Sequence, residues 1–238
     1  MSTTATGEAH ARLRAAHEKG YRFPEGFLGF EGDVAVTVAS DADVSHLKGR
    51  VTIGGPRAIE VKTDDDPATA QWVRQELASM AGHRWPTSYE AGDGRYELTI
   101  GEDDGHPLGV LLTFANDPFS SSYRLIGDRI SQVARAMGAI RFTITMLRHI
   151  ETSDGRTLPA EFTVSYWNTE ENRLTRVDAY QDVYAEVDGV LVPASRTVVT
   201  AEDGGFTTRA LTLSDVVLLT EPFVVTEDRP ERHGTRAG

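Results

Sequence analysis

The sequence predicts a mostly β protein of the α+β class built on one large antiparallel sheet, and three observations predict it. Helical periodicity without a competing strand period is confined to two early segments. From Tyr96 onward, short runs alternate apolar and polar residues at regular spacing. Turn dipeptides separate those runs, with no intervening helices of the kind that parallel strands need.

Residues 8–20 place Ala9, Leu13 and Ala16 on one helical face, and Gly20 stands where a left-handed C-terminal cap would stop the helix. The apolar loop YRFPEGFLGF follows. Val34, Val36 and Val38 then alternate with Asp33, Ala35, Thr37 and Ala39, the period of a half-buried strand. Leu47, Val51 and Ile53 mark a second strand, and Ile59 with Val61 a third. At DDDPATAQWVRQELASMAG the period changes: Asp66 can cap a helix, Pro67 suits its first position, Trp72, Val73, Leu77 and Met80 form the stripe, and Gly82 ends it.

Tyr96, Leu98 and Ile100 open the β-rich part, and Leu108, Val110, Leu112 and Phe114 return after the GEDDG turn. Phe142, Ile144 and Met146 make a further strand, as do Phe162, Val164 and Tyr166. Asp188-Gly189 and the EDGGF segment carry hairpin signals before a last run, Leu211 to Leu219. The total is roughly ten strands with no Pro- or Gly-rich linker, hence one domain over residues 8–224, with 1–7 expected to be disordered and 225–238 a flexible tail.

One stretch, GDRISQVARAMGAIRFTITML, carries both periods. Gly127-Asp128 fits a two-residue turn, which makes 129–135 a strand; a helix capped by Asp128 and ended by Gly138 is the competing reading. As a strand, Ile130, Gln132 and Ala134 share one face and Ser131, Val133 and Arg135 the other. At most one of Gln132 and Arg135 can then face a pocket directly, unless a bulge intervenes near Gly138; Gln132 is the residue expected there, and Arg135 is the weaker candidate.

Composition bounds the function. The chain is 39% hydrophobic and 25% charged, ordinary for a globular protein, and its net charge of −12 points away from nucleic acid and from anionic membranes. It has no cysteine, which removes disulfides, thiolate metal sites and a Cys nucleophile. No run approaches membrane-spanning length and no secretory leader is evident, so a cytoplasmic location and no membrane insertion are expected. The seven histidines have no metal-ligand spacing, and glycine-rich phosphate loops and a GxSxG elbow are missing, so neither metal nor cofactor is expected.

LRAAHEKGYRFPEGFLGFEGDV, QELASMAGHRW, DRISQVARAMGAIRFTITML and YAEVDGVLVPASRTVVT resemble a family known mainly from cyanobacteria and plants as domain of unknown function 3386. More distantly, a helix, a three-strand meander, a second helix and a long antiparallel run resemble the bacterial lipoprotein-carrier architecture. That resemblance implies an open half-barrel with both helices on its concave side and an apolar guest between them. The architecture is also similar to that of a cofactor-free enzyme of violacein biosynthesis; one fold hosts many functions.

Three groups of side chains could serve such a pocket. In GHRWPTSYE, His83 is the natural acid or base, Arg84 can grip a carboxylate or sulfate, and Trp85 and Tyr89 add aromatic surface; packing of a chain reversal at a helix end is the bland reading. Gln132, Arg135 and Arg141 form the second group, with a solvated face or a structural ion pair as the alternative. Tyr166, Trp167, Tyr180 and Tyr184 form the third, and core packing is their common use. The leading expectation is a cofactor-independent enzyme for an elimination, cyclisation or rearrangement of a small molecule, with His83 and Tyr166 catalytic and Arg84, Trp85, Tyr89, Gln132, Arg135, Arg141 and Tyr180 holding substrate. A non-catalytic carrier of apolar ligands or lipids is the alternative, and a protein-interaction adaptor using a sheet edge the third reading.

Overall fold

The computed structural model describes residues 3–40, 43–63, 66–102 and 104–225. The tail TEDRPERHGTRAG expected to be flexible lies outside them. Helix α1 (Thr3–Lys19) leads into a three-strand meander, β1 (Phe30–Ser40), β2 (Val44–Ile53) and β3 (Ile59–Thr63). Helix α2 (Pro67–Gly82) and a single 3-10 turn at Asp93–Arg95 connect this meander to the rest. A nine-strand run follows: β4 (Glu97–Ile100), β5 (Val110–Ala115), β6 (Ser122–Ile126), β7 (Arg129–Met137), β8 (Ile140–Glu151), β9 (Thr157–Asn168), β10 (Arg173–Val187), β11 (Val190–Glu202) and β12 (Gly205–Leu218). The strand count is therefore twelve rather than ten, with β6 and β7 separate strands on either side of the Gly127-Asp128 turn.

The sheet order is β3-β2-β1-β12-β11-β10-β9-β8-β7-β6-β5-β4, antiparallel at every junction. Strand β12 returns to pair with β1, so the two ends of the α2 connection, β3 and β4, become opposite edges. The sheet stays open. The chain leaving β3 must cross the concave face to reach β4, and this crossing carries α2 and residues 83–96 over the middle of the sheet.

Local chemistry explains the elements. Asp66 caps α2, accepting from the Ala68 and Thr69 amides at 3.1 and 3.0 Å, with Pro67 at the first position. Asp188 and Gly189 both take positive φ between the paired Val187 and Val190, as a type I′ hairpin needs. Gly127, with φ of 60°, turns the chain between the paired Ile126 and Arg129, and Gly138 does so between Met137 and Ile140. Residues 129–135 are thus strand. Helix α1 begins at Thr3, ahead of the expected residue 8, and one expectation is corrected: Gly20 is not left-handed but bridges to Thr157.

Each helix builds its own core on the concave face. Val73, Leu77 and Ala81 of α2 bury against Val34, Val36, Val51, Ile53, Leu211 and Leu213. Ala9, Leu13 and Ala16 of α1 bury against Tyr89, Leu98, Leu112, Tyr123 and Leu125. The inner faces of β7 to β10 lie between these cores, and no helix covers them completely. Neither helix is long and apolar enough to cross a membrane.

Candidate functional site

A pocket of about 410 Å³ occupies the gap between the two cores. Its floor is apolar: Ile130 and Val133 of β7, Ile144 and Met146 of β8, and Phe162 of β9. Leu13 and Ala16 of α1 close one side, and Ser79, His83 and Arg84 at the end of α2 close the other. The volume falls within the roughly 300–1,000 Å³ usual for small-molecule sites.

The face of β7 is the first point at which strict alternation fails. Leu125 pairs with Ile130 but Arg124 pairs with Gln132, so Ser131 is an extra residue, and its hydroxyl lies within reach of the Leu108 and Arg124 carbonyls. This bulge shifts the phase. Ile130, Val133 and Arg135 face the pocket, whereas Gln132 points outward and donates to Thr145 Oγ1 at 3.2 Å. The expectation that Gln132 faces the pocket is corrected for that reason.

Of the other expected site residues, His83 and Arg84 line the pocket because the crossing segment passes over it. Trp85 instead packs edge-on against Phe23, 5.0 Å between rings, and Tyr89 is buried under α1 with its hydroxyl 2.8 Å from His10 Nδ1. Arg141 stands on the outer face, over the Trp167 ring and donating to Asn172 Oδ1 at 2.6 Å. Tyr166 lies beyond the pocket wall against Phe142 and Arg176. Tyr180, paired across the strands with Phe162, stacks beside it on the same face at 4.6 Å and does not line the pocket. Trp85, Tyr89, Arg141, Tyr166 and Tyr180 are therefore not brought into the pocket with His83, Arg84 and Arg135.

The wall also holds a buried charge cluster absent from the expectations. Arg196 of β11 is 2% exposed and grips Asp182 of β10 with two hydrogen bonds, of 2.7 and 2.6 Å, and Glu76 of α2 with one of 2.8 Å. Burial opposes its charge, but the Asp182 and Glu76 carboxylates outweigh burial and raise its pKa. Its guanidinium lies over the Tyr180 ring at 5.0 Å. The signal was the run RVDAYQDVY, which alternates acids and tyrosines on one strand face and calls for a buried cation opposite.

Besides the exposed Arg129, three further arginines line the pocket without a carboxylate partner among the described residues. Arg22, which follows α1, donates to the Tyr21 carbonyl at 3.1 Å and lies 3.4 Å from His17 Nδ1. Arg84 has the Tyr184 hydroxyl at 3.5 Å, and Arg135 the Tyr123 hydroxyl at 2.9 Å. Among the described residues, the Nε–H groups of Arg84 and Arg135 are buried with no hydrogen-bond partner, a situation that costs about 1–3 kcal/mol per donor.

These cations set the state of the histidine. His83 is exposed at the pocket mouth, yet the protein mass around it, then the fields of Arg84, Arg135, Arg22 and Arg196, push its pKa down to about 4. It is a neutral imidazole at pH 7. His149, also on the wall, is lowered by burial and by Arg129 and Arg84. Burial and the Asp93 carboxylate push Tyr123 up to about 12 against the pull of Arg135.

Fold and site together define an open antiparallel half-barrel with a pocket between its two helices. The chain belongs to the family described as "Protein of unknown function (DUF3386)", whose model matches residues 4–219. Among solved structures it is similar to a LolA superfamily protein from Nitrosomonas europaea, at 15% identity and a TM-score of 0.40, covering 91% of this chain and 97% of that one. It is also similar to a domain described as an outer membrane lipoprotein-sorting protein from Vibrio parahaemolyticus, at 11% identity and a TM-score of 0.38, covering 90% and 94%. Curated proteins provide no match.

Proposed function

We propose that this protein is a non-catalytic carrier that holds a small molecule with an apolar body between its two helices. The observation that carries this reading is the pocket itself: a cavity of about 410 Å³ whose floor is Ile130, Val133, Ile144, Met146 and Phe162. Removing apolar ligand surface from water against such a floor contributes about 25 cal/mol per Å². The enzyme reading has less support. General acid–base work favours a pKa near the working pH, and His83 lies well below it. Tyr166, its expected partner, is outside the pocket wall.

The test uses a neutral apolar fluorophore such as Nile red. The native protein is expected to enhance its emission with one site per chain. Met146→Trp, which fills the floor, is expected to weaken that binding by about tenfold, while the far-UV spectrum is unchanged. Equal binding by native and filled proteins would place the apolar site elsewhere and defeat the reading.

A further inference from the structure

We propose that the ligand is an anionic amphiphile whose oxyanion head is held by Arg84, Arg135 and Arg22 above the apolar floor. This rests on the carrier reading and goes beyond it by naming the ligand's chemistry. In a chain of net charge −12, this pocket gathers arginines. The acids on its wall are largely spoken for. Asp182 pairs with Arg196, Asp128 lies 3.8 Å from Lys19, and Asp93 acts on the Tyr123 hydroxyl.

Among the described residues, no carboxylate lies within 4.0 Å of Arg22, Arg84 or Arg135, and their hydrogen-bond partners are neutral groups. Elsewhere on the same sheet, Arg124, Arg148 and Arg176 each hold a carboxylate at 2.8–3.0 Å. The pocket arginines also act on one another's surroundings: burial, then Arg84 and Arg156, lowers Arg22, and desolvation, then Arg84, Arg135 and Arg22, lowers His83. Like charges gathered in a partly dry cavity repel strongly, and an oxyanion both relieves that repulsion and supplies acceptors for the guanidinium donors.

Gly20 has a place in this arrangement. A Cβ there would meet Arg22 Nη1 at 2.9 Å, so the glycine leaves room for the guanidinium beside the end of α1. On the opposite side, the head would lie over the α2 terminus and β7, leaving the body to run along Val133, Ile144 and Met146. Carboxylate and phosphate heads share this chemistry and differ in charge and in the number of acceptors.

The experiment is isothermal titration of the full chain with decanoate, decyl phosphate, 1-decanol and decyltrimethylammonium, each below its aggregation threshold. One or both anions are expected to bind at least about tenfold more tightly than the alcohol, and the cation more weakly than the alcohol. The stronger anion identifies the head. Arg84→Gln and Arg135→Gln are each expected to lower anion affinity by about tenfold and leave 1-decanol unchanged, with Arg135→Lys retaining part of the preference. Binding of the alcohol as tightly as the anions overturns this inference while the carrier reading stands. So do anion affinities untouched by either Gln variant. Failure of all four probes, with Nile red also unbound, removes both.

Discussion

At the scale of single residues, the buried cluster around Arg196 makes the sharpest stability prediction. Arg196→Ala leaves Asp182 buried without its bidentate partner, and the expected loss is about 3–5 kcal/mol, read as a lowered urea midpoint. The histidines set a pH dependence. The folded value of His83 lies near 4, below its ordinary value of 6.5, so between those values the unfolded chain binds more protons. Its contribution is complete above pH 6.5 and is lost as pH falls toward 4. His149 shifts in the same direction. Urea midpoints measured at pH 7.5 and pH 5 are expected to fall, with His83→Gln reducing the drop. His83, Arg84 and Arg135 were legible as candidates because a histidine and arginines beside helix ends and on sheet faces have few other uses. Arg22 and Arg196 were not: the Arg22 loop is fixed by Arg156, 134 residues away, and Arg196 reaches Glu76, 120 residues away, beside its nearer partner Asp182.

At the scale of elements, the sequence carried most of the information. Alternating valines in β1, the Asp66-Pro67 start of α2 and the Asp188-Gly189 turn each rest on local sterics or hydrogen bonding, so each could be read without its surroundings. Asp66→Ala removes the carboxylate that accepts from two amide N–H groups and is expected to cost about 1 kcal/mol, seen as a small drop in melting temperature without loss of binding. The bulge at Ser131 marks the limit of such reading. A bulge adds one residue without a compositional signature, and here it reverses which of Gln132 and Arg135 meets the pocket. Aromatic residues were the other limit. Trp85 and Tyr89 flank the pocket segment in sequence but turn away into the cores on either side.

At the scale of the molecule, function follows from connectivity. Because β12 returns to β1, the single connection that carries α2 must span the open face from one sheet edge to the other. Two separate cores result, one under each helix, and the uncovered floor between them is apolar while its rim is cationic. The half-barrel itself was legible from element order, but the position of the gap was not, since it depends on where each helix settles. Native mass spectrometry of the protein isolated from its own cells tests the central claim most directly. The account predicts a population heavier than the bare chain by one small anionic molecule, released on unfolding and missing from Met146→Trp. A bare chain mass in both proteins, under conditions that preserve other non-covalent complexes, would contradict it.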